Sequence, residues 1–375
     1  MTLLTLSSRQ IWPQVLCTLH IRPSRLILFH SDEGEESRHP AERLKTFFNT
    51  IPWEQPMEVE LRRIPHDNFS GIIEVFHSVA ETLLLDGGNG CVNLTGGNKL
   101  MAMAAVEWCR QTETPCFYLE RNRRLLSFRS QGPDFIPQPD AQVIDLHLAR
   151  NLDPLGLLVC QLSDAEVVHP GLRLTLRENG RNLHPNDLRK LIANDSPIDF
   201  RRYLDWDHQA PSVPENAGDR LEFATALALL KLGVPVVQRG VHLRPRIPRP
   251  TGRNEGELDL VFNWKGKLWI VDCKDRRSAE NRMGKLRTEL LSLNAMTSRV
   301  EATLEALEEE LRAKDLHPLK EDLLSISEVG GILGKVVCVR RTMEPQAIEY
   351  ATSRRIEIIL KDQLFENLKR LLDHP

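Results

Sequence analysis

Two neighbouring strand-like stretches carry the residues best suited to chemistry. Asn254-Glu255-Gly256-Glu257-Leu258-Asp259 runs into an apolar strand, a Lys265-Gly266 turn follows, and Trp269-Ile270-Val271-Asp272-Cys273-Lys274 comes next. Residues two apart on a strand share a face, so Asp272 and Lys274 point one way and Cys273 the other. A hairpin closed at Lys265-Gly266 sets Asp259 alongside them. Two carboxylates held together bind a hard cation such as Mg²⁺ or Mn²⁺ through oxygen and leave waters in its shell. A lysine beside them orients or deprotonates such a water and stabilises charge developing on a phosphate. An Asp-x-Lys tripeptide by itself is more often an exposed strand pair. Here an apolar strand feeds straight into Asp272, and a carboxylate drawn out of water needs a cation or a hydrogen-bonding partner.

A second group of candidates lies in Cys91-Val92-Asn93-Leu94-Thr95-Gly96-Gly97-Asn98-Lys99-Leu100-Met101, a strand that turns through two glycines into a helix. Such a turn presents backbone N–H groups and the positive helix end to an anion. Gly96 and Gly97 allow close approach of a phosphate, Thr95 and Asn98 offer hydrogen bonds, and Lys99 supplies charge. As a bare pattern this is also what a structural N-cap turn looks like.

These residues need elements to position them. Leu26 to Phe29 reads as a buried strand, followed by a loop and a helix over Ala41 to Phe48. The alternation continues with a strand at Met57 to Arg63, a helix at Gly71 to Leu85, a strand at Gly90 to Leu94, a helix at Lys99 to Arg110 and a strand at Thr114 to Glu120. Repeated strand-helix units predict a parallel, doubly wound, Rossmann-like α/β domain over residues 1–148. Ligands of such sheets sit at the carboxyl ends of the strands. From Gln131 to Trp206 seven prolines break the pattern, and residues 149–205 read as a connecting region. Residues 206–375 form a second α/β domain. Its elements are a helix at Leu221 to Leu232, strands at Val234 to Leu243, Glu257 to Trp264 and Lys267 to Asp272, and a long charged helix near Met283 to Lys314. Strands at Gly334 to Val339 and Ile356 to Leu360 and a C-terminal helix complete it.

Composition narrows the class. The 375 residues exceed the usual size of one domain, and 41% hydrophobic with 27% charged residues is ordinary for a folded protein in water. No apolar run nears the roughly 20 residues of a membrane span, and Met1 to Ser8 has no export signal, so a cytoplasmic protein without a membrane partner is expected. The seven cysteines form no CxxC pair, which argues against a zinc site or a disulfide framework. A formal net charge of -3 excludes a globally basic nucleic-acid coat, while Arg239 to Arg253 offers a local basic cluster.

The Asp259, Asp272, Lys274 hairpin resembles the PD-(D/E)xK nuclease superfamily. That resemblance assigns a catalytic and metal-binding role to Asp259 and Asp272 and a catalytic role to Lys274. It brings in Glu222, on the preceding helix, as a further acidic metal ligand, with Glu257, one strand period before Asp259, as another candidate. The Thr95 to Lys99 loop resembles the signature of CARF domains, sensors of cyclic oligoadenylates made in type III CRISPR defence, except that Asn98 stands where those loops carry Thr. Gln10-Ile11-Trp12-Pro13, Pro23-Ser24-Arg25 and the His30 to Glu33 loop also look like that family, which would place Ser31, Asp32 and Glu33 at the ligand pocket.

Together the two halves resemble the single-CARF CRISPR ancillary nucleases. The resemblance implies a homodimer with the ligand, cyclic tetra-adenylate foremost, on its two-fold axis. It implies Mg²⁺- or Mn²⁺-dependent cleavage of DNA, and in some cases RNA, with little sequence preference. Two other readings stay open: a DNA-binding regulator without catalysis, which would need a helix-turn-helix and for which the helical segment His184 to Asn194 is the candidate, and a nuclease independent of any nucleotide.

Overall fold

The computed structural model describes the chain except residues 9, 32–36, 86–89, 121–123, 132–133, 139–141, 163–164, 194–198, 207–216, 246–255, 276–286, 289–299, 308–334, 342–344 and 374–375. For 83–85, 130–131, 134–135, 146–147, 193, 217 and 346 it describes the backbone alone. Two compact units emerge, the first comprising Met1–Ala165 with Lys265–Lys267, the second Glu166–Trp264 and Leu268–Pro375.

In the first unit, strands β1 (Thr2–Leu6), β2 (Arg25–Ser31), β3 (Glu58–Ile64), β4 (Gly90–Asn93) and β5 (Cys116–Leu119) run parallel in the order β3-β2-β1-β4-β5. Strands β6 (Arg124–Gln131) and β7 (Asp134–Pro137) continue the sheet antiparallel, and β8 (Gln142–Val143) pairs with β6. Leu26 to Phe29 are all buried without alternation, as in a sheet covered on both faces. Phe29, Phe76 and Trp108 anchor the core, with ring centroids 4.6 Å and 5.2 Å apart in sequence along that chain of contacts. The strand order reverses between β1 and β4, which makes the carboxyl ends of these two strands the topological switch point where ligands of this fold bind.

The second unit is built on β9 (Ala165–His169), β10 (Leu172–Leu176), β11 (Leu204–Asp205), β12 (Val237–Pro245), β13 (Gly256–Trp264), β14 (Lys267–Lys274), β15 (Lys335–Arg340) and β16 (Glu357–Leu360). Their order is β11-β10-β12-β13-β14-β15-β16, with β9 on β12. β10, β12 and β13 pair antiparallel, whereas β14, β15 and β16 are parallel. The turn between β13 and β14 has both Lys265 (φ 51°) and Gly266 (φ 77°) at positive φ, the requirement of a two-residue turn matched to strand twist, and it fixes the hairpin register. Helix Ala217–Lys231 buries Leu221, Phe223, Ala224, Leu227 and Leu230 in one core with Val237, Leu260, Phe262, Trp269 and Val271. The C-terminal helix Leu364–Asp373 adds Leu364, Leu368 and Leu372, a stripe at four-residue spacing.

Several expected elements shift. The strand expected from Val234 starts at Val237, after a turn in which Gly233 sits at φ 103°. Of the long helix expected at 283–314, residues 287–288 and 300–307 are helical and the rest lies outside the described residues. The stretch 149–205 holds regular structure: helix Pro154–Gln161 in the first unit, and β10, β11 and helix Pro185–Ala193 in the second. Among the described residues no helix is long and apolar enough to cross a membrane.

Candidate active site and ligand-binding loop

The β13-β14 hairpin does what its alternation predicts. Cys273 faces the core, where its Sγ lies 3.8 Å from Thr225 Oγ1 on helix Ala217–Lys231, and Asp272 and Lys274 take the other face. Lys274 Nζ stands 2.9 Å from Asp272 Oδ1 and 3.2 Å from Asp259 Oδ2, so the three residues are in direct contact. Asp259 is 5% exposed and Asp272 3%, while the Lys274 side chain keeps a third of its surface in solvent. Asp259 Oδ2 also accepts the Cys273 main-chain N–H at 2.6 Å.

Glu222, from helix Ala217–Lys231, is electrostatically coupled to Asp259 but has Arg239 of β12 as its near partner. Arg239 Nε lies 2.8 Å from Glu222 Oε2, out of line for a hydrogen bond, so that oxygen is a buried acceptor without an aligned donor. Arg239 is held instead by Asp219 at 2.6 Å and by the Phe223 ring at 4.4 Å. Glu257 shares the Asp259 face but is half exposed, with His242 Nε2 3.9 Å away.

A residue outside the expected set completes the carboxylate pair. Arg340, at the end of β15 and 4% exposed, donates from Nη2 to Asp272 Oδ2 and from Nη1 to the main-chain oxygens of Asp272 (2.8 Å) and Val339 (3.0 Å). One residue on from each strand end, Asp275 is held by Arg341 and Lys361 at 2.5 to 2.9 Å. The abrupt change from Val336-Val337-Cys338-Val339 to Arg340-Arg341 was the sequence signal for both arginines; only the parallel pairing of β14 with β15, which sets Lys274 against Arg340, says what they meet.

The charge state follows. Burial alone would raise the Asp272 carboxyl, but Arg340 and Lys274 outweigh it and hold the group ionised, below the usual carboxylate range. Burial, aided by the Asp272 charge, pushes Asp259 up to about 6 against Lys274 and the Cys273 N–H. Glu222 is pushed up to about 8, first by burial and with help from Asp259, against Arg239. Lys274 is raised, because two carboxylates outweigh its desolvation.

Tested as a place for a hard divalent cation, the donors fit by chemistry. They are carboxylate oxygens, and burial makes two of the three groups resist ionisation, a cost that a bound cation would offset. Asp259 Oδ1 has no hydrogen-bond partner among the described residues, and Glu222 Oε2 lacks an aligned one. Both Asp272 oxygens, by contrast, face cations of the chain. Among the described residues no three His, Cys, Asp or Glu side chains converge as ligands.

In the first unit, the switch point holds the Thr95 to Lys99 loop. Gly96 (φ 156°) and Gly97 (φ 63°) take backbone conformations that side chains rarely adopt, and a Cβ on Gly96 would come 2.2 Å from Leu6 O and 2.6 Å from Gln14 Nε2. Gln14 itself donates to Leu6 O (2.8 Å) and Thr95 O (3.2 Å), tying the ends of β1 and β4 together. Buried Asn93 donates to Thr5 Oγ1 and accepts from the Thr95 N–H, both at 3.0 Å. Thr95 Oγ1 accepts the Leu119 N–H at 2.6 Å, so its hydroxyl is engaged in shaping the loop. Asn98 caps helix Lys99–Thr112, accepting from Met101 N–H at 2.8 Å and donating to His66 O at 2.8 Å. Lys99 is exposed. Ser31 bonds Ser37 Oγ through its N–H (2.7 Å) and hydroxyl (2.8 Å), while Asp32 and Glu33 lie outside the described residues.

No protein-family model and no curated protein matches the sequence. Solved structures do match in fold. Can2 from Sulfobacillus thermosulfidooxidans, in complex with cyclic tetra-adenylate, superimposes with a TM-score of 0.59 at 15% identity, over 99% of this chain and 96% of that one. Protein VC1899 from Vibrio cholerae gives 0.58 at 15% identity, over 99% and 97%. A type III CRISPR defence DNA nuclease activated by cyclic oligoadenylate gives 0.53 at 18% identity, over 91% of this chain and 45% of that one. Over essentially its whole length the chain therefore has the fold of Can2, in agreement with the CARF-plus-nuclease architecture that its motifs resemble.

Proposed function

We propose that this chain is a nuclease of type III CRISPR defence that uses Mg²⁺ or Mn²⁺ to cut or nick DNA, with single-stranded RNA as a second substrate, and that a cyclic oligoadenylate switches it on. The reading assigns sensing to the first unit and cleavage to the second. The observation that carries it is the contact of Lys274 Nζ with both Asp259 and Asp272 on one hairpin. Fold likeness to Can2, whose structure holds cyclic tetra-adenylate, and to a DNA nuclease activated by cyclic oligoadenylate supports it.

In this reading Asp259, Asp272 and Glu222 would hold the metal, which when bound would supply positive charge and a water more readily deprotonated. Asp272 is kept ionised by Arg340 and enters as a ready anion. Lys274, tethered between the carboxylates, is placed to orient the attacking water and to meet charge developing on the phosphate. Glu257 flanks the site. In the sensor unit, the backbone of Gly96 and Gly97 with Lys99 and the end of helix Lys99–Thr112 meets the ligand phosphates, and Ser31 at the end of β2, with Asp32 and Glu33 next to it in sequence, is assigned to the same ligand. Asn98 and Thr95 serve by holding the loop in shape. Two copies related by a two-fold axis would bind a symmetric ring across their sensor units. The ligand activates only if it binds the active arrangement more tightly than the resting one.

The test is metal-dependent cleavage of plasmid and of single-stranded DNA and RNA, with and without cyclic tetra-adenylate. Cleavage that needs both metal and ligand supports the reading. Ligand binding without cleavage of any substrate would point to a regulator, and here one observation already weighs against that: helix Pro185–Ala193 sends Leu188 into the core beside helix Ala217–Lys231 and follows a helix of only four residues, Glu178–Arg181.

A further inference from the structure

We infer that Arg340 is a positioning residue for the metal-binding carboxylates: it clamps Asp272 through one oxygen so that the other, Oδ1, can pass from Lys274 to a divalent cation. This rests on the nuclease reading above. Each carboxylate of the pair has one oxygen tied to an internal donor. Asp272 Oδ2 is tied to Arg340, and Asp259 Oδ2 to the Cys273 N–H. The remaining oxygens are Asp272 Oδ1, which meets Lys274 Nζ at 2.9 Å, and Asp259 Oδ1, which has no partner among the described residues.

The two cations that share Asp272 differ in kind. Arg340 is 4% exposed and makes three bonds at once, to Oδ2 and to two main-chain carbonyls, so it has nowhere else to go. Lys274 has a third of its side chain in solvent, hangs on a flexible stem and contacts Asp259 Oδ2 as well, so it can leave Oδ1 to a cation that takes over its charge while Asp259 still holds it. The fixed guanidinium sets the carboxylate plane and cancels one of the two buried charges. A lysine at 340 has no planar fork to span carboxylate and carbonyls together. A role of this sort, one step behind the ligands, tunes metal affinity about 10- to 100-fold in metal sites generally.

The experiment measures Mn²⁺ binding to the full chain by calorimetry, alongside cleavage at graded Mn²⁺ with cyclic tetra-adenylate present and thermal melting, for wild type, Arg340→Lys, Arg340→Met, Asp272→Asn and Asp272→Asn with Arg340→Met. Arg340→Met is expected to weaken Mn²⁺ binding by about 10- to 100-fold and to raise the half-saturating Mn²⁺ for cleavage by a similar factor. Arg340→Lys keeps the charge but not all three bonds, so it is expected to melt lower than wild type and above Arg340→Met, to bind Mn²⁺ several-fold more weakly, and to recover part of the affinity lost in Arg340→Met. In the Asp272→Asn background, Arg340→Met should add no further loss, because its effect runs through Asp272. Wild-type Mn²⁺ affinity in either Arg340 variant, or a full additional loss on top of Asp272→Asn, overturns the inference while leaving the nuclease reading intact. Should Arg340→Met fail to fold, Arg340→Lys alone decides. A wild-type chain that neither binds Mn²⁺ nor cleaves contradicts the nuclease reading itself, and this inference with it.

Discussion

Lys274 is the residue whose surroundings commit it most strongly, since its ammonium bridges two carboxylates that are each about 95% or more buried. Replacing it by Ala takes positive charge from two buried carboxylates, so cleavage is expected to fall by about 100-fold or more while the chain still folds, with a lowered melting temperature at neutral pH. Steady-state cleavage beside a thermal melt checks this; an active Lys274→Ala chain would remove the lysine from the mechanism. Glu222 and Asp259 predict a pH dependence for the metal-free protein. Their folded values, about 8 and about 6, lie above the roughly 4 of an unfolded chain, so the folded state holds more protons between those limits. The stability they lend is complete below about pH 4 and is lost as pH rises through 6 and then 8. Asp272 acts in the opposite sense, its support present above the unfolded carboxylate value and lost as pH falls below it. In EDTA the melting temperature should therefore decline from about pH 5 to about pH 8 and level off above it, and Glu222→Gln should flatten the part of that decline between pH 6 and pH 8; an unchanged slope would mean that Glu222 ionises normally.

At the scale of elements, the Gly96-Gly97 turn shows how backbone sets function. Gly96→Ala forces a Cβ against Leu6 O and the Gln14 amide at a φ that disfavours it, so a loss of roughly 1–3 kcal/mol of stability is expected together with loss of cyclic oligoadenylate binding. Lys99→Ala, at an exposed position, should leave melting unchanged and weaken binding of the anion about tenfold. Ligand titration by fluorescence with a parallel melt separates the two, and wild-type affinity in Gly96→Ala would place the ligand elsewhere. Much of this level was legible from pattern alone. Apolar runs marked β2, β4, β13 and β14, and the Lys265-Gly266 turn gave the hairpin register and hence the Asp259, Asp272, Lys274 face. What stayed hidden depends on contacts distant in the chain. Arg340 reaches Asp272 across 68 residues, and Arg239 lies beside Glu222 only because β12 packs by the helix. Nor does spacing reveal that Thr95 and Asn98 spend their side chains on the loop, through the Leu119 and Met101 N–H groups. Strands β10 and β11 were obscured by the prolines around them, which interrupt periodicity without preventing short strands from joining a sheet.

For the whole molecule, two units with separate cores fit a division between sensing and cutting, and the reading requires a pair of chains to enclose a symmetric ring. Light scattering is expected to give twice the 42.9 kDa chain mass, and calorimetry one cyclic tetra-adenylate per two chains; a monomer that binds one ligand per chain would contradict the two-fold arrangement. The account as a whole stands or falls on gated cleavage. The most direct measurement is nicking of supercoiled plasmid in Mn²⁺, with and without cyclic tetra-adenylate, by the wild-type chain and by Lys274→Ala. Nicking that appears with ligand and vanishes in the variant is the predicted result. Wild-type cutting at the same rate without ligand, or cutting by Lys274→Ala, would contradict it.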